Sequence, residues 1–167
     1  MKTMIIQGSA RSEGNTKAVV TLLQQKLNAD VIDLKKLDYS GFDYAHANRE
    51  DDFLPTMKKL VQYDLFLFVT PVYWYSMSGL MKNFFDRITD CLKIDKETGR
   101  KLRGLKMAAV ACGSDDLEAE GFFIPFQKSA DYLGMTYKGS LHTWAHHGNI
   151  EPPEQVRIKE FVKTLTE

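Results

Sequence analysis

The chain is poor in cysteine, has no excess charge of either sign and carries no long apolar run, and each shortage excludes something. Its two cysteines, Cys91 and Cys112, do not form a Cys-x-x-Cys pair. Within one chain that excludes a disulfide framework, a four-cysteine zinc site and a cysteine-held iron–sulfur cluster. The 22 basic and 22 acidic residues cancel to a net charge of zero. No global positive field then exists to hold nucleic acid or an anionic membrane. No segment reaches the roughly 18–20 apolar residues of a membrane span. The first apolar run stops at Gly8 without a small-residue cleavage site, which reads as a first strand rather than a signal peptide. A cytoplasmic protein is expected. Repeats, low-complexity tracts and linkers are also missing, so residues 1–167 read as a single domain.

What remains is the composition of a folded protein, 44% hydrophobic and 26% charged. Short apolar runs alternate with amphipathic stretches. Met4–Gln7, Asp30–Leu34, Asp64–Thr70, Met107–Ala111 and Thr136–Trp144 read as strands. Asp64–Thr70 is apolar almost throughout, as a strand buried on both faces must be. Helices are predicted over Thr16–Leu27, roughly Asp52–Tyr63, Ser78–Cys91 with Ser78 as its cap, Gly121–Leu133 with Gly134 as its stop, and Glu154–Leu165. Lys35–Asn48 reads as a polar connection and Lys93–Lys106 as a charged turn. Five strands alternating with helices imply an α/β fold with a parallel sheet and helices on both faces. Right-handed crossovers and the chain length favour a doubly wound five-stranded order, 2-1-3-4-5. In such sheets ligands sit beyond the carboxyl ends of the strands, where the winding reverses.

Three loops leave those ends. The first is Gly8-Ser9-Ala10-Arg11-Ser12-Glu13-Gly14-Asn15-Thr16. Gly8 and Gly14 permit tight turns, Ser9, Ser12, Asn15 and Thr16 offer short hydrogen-bonding groups, and Arg11 offers a guanidinium. The helix that follows points free N–H groups and a positive dipole end at this loop, which suits a phosphate dianion. A dinucleotide fingerprint would need glycine at Ala10 and Glu13, and a Walker A loop would need glycine at Glu13 and lysine at Gly14. The plainer alternative is a serine-rich turn capped by Asn15. The second loop, Thr70-Pro71-Val72-Tyr73-Trp74-Tyr75-Ser76-Met77-Ser78-Gly79, places three consecutive aromatics beyond a buried strand, a wall for a flat heterocycle. Packing under the next helix or at a dimer contact is the alternative for any single ring. In the third, Ala111-Cys112-Gly113-Ser114-Asp115-Asp116, Gly113 and Ser114 can present N–H groups to a ring carbonyl. Cys112 reads as a small buried residue rather than a nucleophile.

Three further groups carry less. His142, His146 and His147 lie at a strand end without a carboxylate partner and read as non-metal histidines. The basic turn of Lys96, Arg100, Lys101 and Arg103 reads as solvated surface, with a nucleotide phosphate as the alternative. Asp115, Asp116, Glu118 and Glu120 read as an exposed approach to a helix.

With those loops in place, the chain resembles the flavodoxin-like NAD(P)H-dependent FMN reductases, a family that also includes quinone reductase and iron–sulfur flavoprotein relatives. The residues Gly8–Thr16, Thr70–Trp74 and the helix segment Met81-Lys82-Asn83-Phe84-Phe85-Asp86-Arg87 carry the likeness. The resemblance implies a flavodoxin-like fold, FMN as cofactor and NAD(P)H as co-substrate. It also implies electron delivery to a quinone, flavin, nitro or azo acceptor, with the chemistry on FMN rather than on a catalytic side chain. Ser9, Arg11, Gly14, Asn15 and Thr16 would hold the phosphate. Pro71, Val72, Tyr73 and Trp74 would border the isoalloxazine, and Gly113 and Ser114 would face its pyrimidine edge. Asp86 and Arg87 would be structural or part of a dimer contact, and a homodimer or higher homo-oligomer is expected. The iron–sulfur relatives carry a cysteine cluster where Lys35–Asn48 has none. Its Tyr39, Phe42, Tyr44 and His46 are instead available to cover the flavin or a partner subunit. An electron-carrier flavodoxin is the competing reading, disfavoured because such carriers dock through a strongly acidic surface. A receiver of the same topology would need an aspartate closing the third strand, where Thr70-Pro71 stands.

Overall fold

In the computed structural model, which describes residues 1–166, the apolar runs pair as parallel strands. Strands β1 (Thr3–Gln7), β2 (Asp30–Asp33), β3 (Leu65–Tyr73), β5 (Lys106–Gly113) and β6 (Thr136–Trp144) lie in the order β2-β1-β3-β5-β6. Numbered among themselves these five strands have the predicted order. A two-residue strand, β4 (Ser76–Met77), pairs antiparallel with the end of β3 and was not predicted. It exists because β3 runs past Thr70 through Pro71 to Tyr73 before folding back.

Helices α1 (Asn15–Leu27) and α6 (Pro152–Thr166) cover one face, while α2 (Phe53–Leu60), α3 (Gly79–Lys93) and α5 (Ile124–Leu133) cover the other. Side-chain alternation along β3 supplies both cores. Leu65, Leu67 and Val69 meet Val19, Val20, Leu23, Ile158 and Leu165 on the first face. Phe66 and Phe68 meet Met81, Phe84 and Phe126 on the second. The buried run predicted for this strand is thus explained by apolar partners on both sides.

Helix boundaries shift where local chemistry outweighs periodicity. α5 starts at Ile124, not Gly121, because Gly121 has φ 77° and Pro125 suits a first turn. α6 begins at the prolines themselves, where a missing N–H costs nothing. The charged turn contains a short helix, α4 (Lys96–Lys101), with Asp95 accepting from Thr98 N. α4 precedes β5, so its basic residues lie at the end of the sheet opposite the strands' carboxyl ends. Lys101 pairs with Glu97 there. On β6 an extra residue interrupts the ladder: Met107 and Ala109 face Tyr137 and Ser140, and Gly139 takes φ 116°.

The aromatic segment before α2 packs against α2 and α3 through Tyr39, while Tyr44 stays exposed. Tyr39 packs on Phe53 and Phe84 and donates to Leu80 O at 3.2 Å. Arg87, with no exposed surface, holds the segment to α3. Its guanidinium donates to both oxygens of Asp51 (2.6 and 3.0 Å), to Ser40 O (2.8 Å) and to Asp90 (2.8 Å), and it lies over Phe53. His46 Nδ1 meets the other oxygen of Asp90 at 2.8 Å. Arg87 is therefore structural, whereas Asp86 is half-buried and paired with Lys82.

Candidate active site

Thr70 and Ser78 join the ends of β1 and β3 to the start of α3. Ser78 Oγ donates to Gly8 O (2.5 Å) and accepts from Met81 N (3.0 Å), the predicted cap. Ser78 N in turn donates to Thr70 Oγ1 at 3.0 Å. All three groups are buried, so the two loops above them are fixed relative to each other.

In the first loop Gln7 Nε2 donates to Ser12 O and Arg11 N donates to Ser9 Oγ. Gly14 precedes α1 with φ 124°, a conformation closed to other residues. No side chain caps α1 and its first turn carries no acid, so the first N–H groups and the positive helix end stay available. Asn15 is not the cap: its Oδ1 accepts from Gly148 N at 2.9 Å and ties the loop after β6 to α1. The Arg11 guanidinium folds back over Gly14.

The second loop is a hairpin. Val72 pairs with Met77 and Tyr73 with Ser76, leaving Trp74 and Tyr75 as its two central residues. Both have positive φ, 49° and 64°, the backbone of a turn that ordinarily takes Asn-Gly. Two bulky aromatics in this region cost on the order of 1 kcal/mol or more each. Trp74 is nonetheless 94% exposed, so no packing within the chain repays the strain. Trp74→Gly should therefore raise the unfolding free energy of the apoprotein by about 1 kcal/mol. Urea unfolding measures this, and a loss of stability would show that the turn is not strained.

The two loops and the end of β5 enclose one cleft of about 460 Å³. Ser9, Arg11, Asn15 and Thr16 line it on one side, Pro71, Val72, Tyr73 and Trp74 on another, and Gly113 and Ser114 close it. Of the predicted site residues, Gly14 alone stays outside that lining. It faces a larger and more open hollow, about 830 Å³, between α1 and the loop after β6, where His146 and His147 also lie. The cleft is the better candidate because it lies where the winding reverses and carries the flat aromatic wall. Sequence reasoning did not place Glu13, Tyr75, Cys112, Asp115, Leu117 or Ala119 in it. Tyr75 was visible in the aromatic triplet. Asp115 is exposed, as expected of the approach to a helix, and its carboxylate also accepts from Ser114 Oγ and Leu117 N and shapes the third loop.

Burial pushes the Cys112 thiol up to about 11, with Thr16 beside it opposing the rise, so this thiol is no nucleophile near neutral pH. His142 is buried and bonded to Asp115 O. Among the described residues, no three His, Cys, Asp or Glu side chains gather to hold a metal ion. No described helix is long and apolar enough to cross a membrane.

A model of the NADPH-dependent FMN reductase family matches residues 1–148. YwqN of Bacillus subtilis (strain 168), whose name describes an NAD(P)H-dependent FMN-containing oxidoreductase, is 30% identical, over 83% of this chain and 82% of its own. The NADH-dependent FMN reductase SfnF of Pseudomonas putida is 24% identical over 99% of this chain and 91% of its own. Among solved structures, the Trp repressor binding protein of Bacillus subtilis superposes with a TM-score of 0.78 at 21% identity, covering 98% of this chain and 97% of that one. The chain thus belongs to the NADPH-dependent FMN reductase family, enzymes that work with FMN as cofactor and NAD(P)H as co-substrate.

Proposed function

We propose that FMN lies along the cleft and that electrons from NAD(P)H leave it for a small planar acceptor, a quinone, free flavin, nitro or azo compound. One observation carries this reading: the uncapped start of α1 and the aromatic hairpin border the same cleft. The donors at one end suit a phosphomonoester. Arg11 supplies charge, Ser9 and Thr16 supply hydroxyls, Asn15 keeps its amide N–H₂, and Gly14 lets the backbone turn into the helix. The other end suits a flat ring: Pro71, Val72 and Tyr73 form a floor, and Trp74 stands at the rim. Gly113 and Ser114 bring backbone N–H groups to the ring edge that gains negative charge on reduction.

When bound, FMN supplies the hydride chemistry, accepting from the nicotinamide and giving to the acceptor. The chain's own residues bind it, orient it and keep one face open. No acid–base pair is needed, and both thiols are buried. With FMN held there, the open side of the cleft would admit donor and acceptor in turn, and ping-pong kinetics are expected. The reading includes a cytoplasmic location and a homodimer or higher homo-oligomer. The latter is supported by exposed Trp74, Tyr75 and Leu117 at the rim, which a second copy would cover.

The test is reconstitution. Added FMN should give a yellow protein whose NADPH oxidation rises with a benzoquinone present, and FMN at about 100 times its Kd should stabilise the fold by about 2.7 kcal/mol. That corresponds to a Tm rise of roughly 5–11 °C for a chain of this size. A protein that stays colourless and melts unchanged overturns the reading. A yellow protein that oxidises NADPH only when a separate reductase is supplied is a carrier instead.

A further inference from the structure

Behind the third loop stands a side chain that the proposed chemistry does not use. His142, on β6 beside Ala111 of β5, is 3% exposed. Its Nε2 lies 2.9 Å from Asp115 O. A carbonyl oxygen only accepts, so Nε2 carries the proton and donates. The same ring fills the space beside Gly113. A Cβ at that position would sit 2.7 Å from His142 Cε1, 3.0 Å from Nε2 and 3.3 Å from Asp115 O. The Gly113 backbone is not left-handed, so glycine stands there for room rather than for φ.

The strand that carries the imidazole is itself held from behind. His142 O accepts from Arg157 Nη2 at 3.0 Å, and Arg157 is fastened by two contacts to buried Glu154, at 2.9 and 3.0 Å. Glu154 also accepts from Thr143 Oγ1 at 2.7 Å, next to His142 on β6. A chain of contacts thus runs from α6 through β6 to the turn at Gly113–Asp115. Gly113 closes β5 and pairs with Trp144 of β6, which fixes the start of the turn; beyond it, the hydrogen bonds of Ser114 Oγ and Leu117 N to the Asp115 carboxylate are internal to the loop. They shape it without fixing where it points.

We propose that His142 is a positioning residue for the flavin: from beneath the cleft it fixes the Gly113–Asp115 turn so that the N–H groups of Gly113 and Ser114 face the ring edge. The proposal rests on the FMN reading above. It makes Gly113 and His142 a matched pair, a glycine without a Cβ and a ring that uses the space. Donors held in place favour reduced over oxidised FMN, because the ring edge they meet carries more negative charge after reduction.

The experiment compares the midpoint potential and oxidised-FMN Kd of the wild-type holoprotein with those of His142→Phe, His142→Gln, His142→Ala, Gly113→Ala and the double variant His142→Ala/Gly113→Ala. Phenylalanine keeps the bulk and loses the donor. It should weaken reduced FMN about tenfold relative to oxidised, making the two-electron potential roughly 30 mV more negative. Oxidised-FMN affinity should change less than threefold, since the phosphate end is untouched. Glutamine restores an N–H at the same reach and should return most of the shift. Gly113→Ala should weaken FMN at least tenfold, and His142→Ala, by removing the ring, should recover much of that loss. A wild type that binds FMN while its variants keep the wild-type potential, or a double variant whose losses simply add, overturns this proposal alone. A wild type that takes up no FMN overturns the flavin reading and this proposal with it.

Discussion

Arg87→Ala should cost about 3–5 kcal/mol of stability, the range seen when one partner of a buried ion pair is removed. The variant leaves Asp90, almost wholly buried, and Asp51, largely so, without their common cation. It also frees Ser40 O and unfastens the segment between β2 and α2 from α3. For a chain of this length the loss corresponds to a Tm drop of roughly 6–20 °C. Arg87→Lys keeps the charge but not the fork that meets both Asp51 oxygens, and should fall between. A change below 1 kcal/mol in urea unfolding would mean that the segment is held mainly by Tyr39 and Phe53. The network also sets an acid limit. Burial raises the Asp51 carboxyl, but Arg87 and the amides of Phe53 and Ser40 outweigh it and leave the group below its usual 3.8. A depressed carboxylate adds stability that is complete above its unfolded value and disappears as pH falls through its folded one. Wild-type stability should therefore fall below about pH 4, and Arg87→Ala should show a smaller acid-linked loss over that window.

Arg11→Ala should weaken FMN about tenfold to hundredfold while changing riboflavin less than threefold. Removing a charged hydrogen-bond donor costs roughly 1.5–3 kcal/mol, and only FMN carries the phosphate. Arg11 is exposed, so salt should narrow the difference between wild type and variant. Fluorescence titration of both flavins at two salt concentrations decides it. Equal losses for FMN and riboflavin would move Arg11 away from the phosphate.

Strand order was legible because a buried parallel sheet writes itself as apolar runs such as Leu65–Val69, and because few crossovers connect them. The first two loops were legible for a related reason, since both begin where such a run stops. The hairpin at Trp74 and Tyr75 was not, because nothing in a Tyr-Trp-Tyr triplet announces positive φ. The plainer alternative for the first loop, Asn15 as a cap, suits its residue type, but Gly148, more than a hundred residues away, takes its oxygen. Arg87 and Asp51 are likewise ordinary charges until the fold brings them together. His142 stood out only as one member of a histidine cluster, and its bond to Asp115 depends on a contact between two strands' ends.

The interruption on β6 bears on how copies of this protein can meet. β2 and β6 form the two margins of the sheet, where unpaired backbone invites an incoming strand. Along β6 the extra residue and Gly139 put the donors and acceptors out of step halfway, beside charged Lys138. The opposite margin is four residues long, with Asp30 and Asp33 at its ends. Neither side offers a template that polymerises edge to edge, so self-association is left to helices and loops, and concentrated protein should stay free of fibrous aggregates.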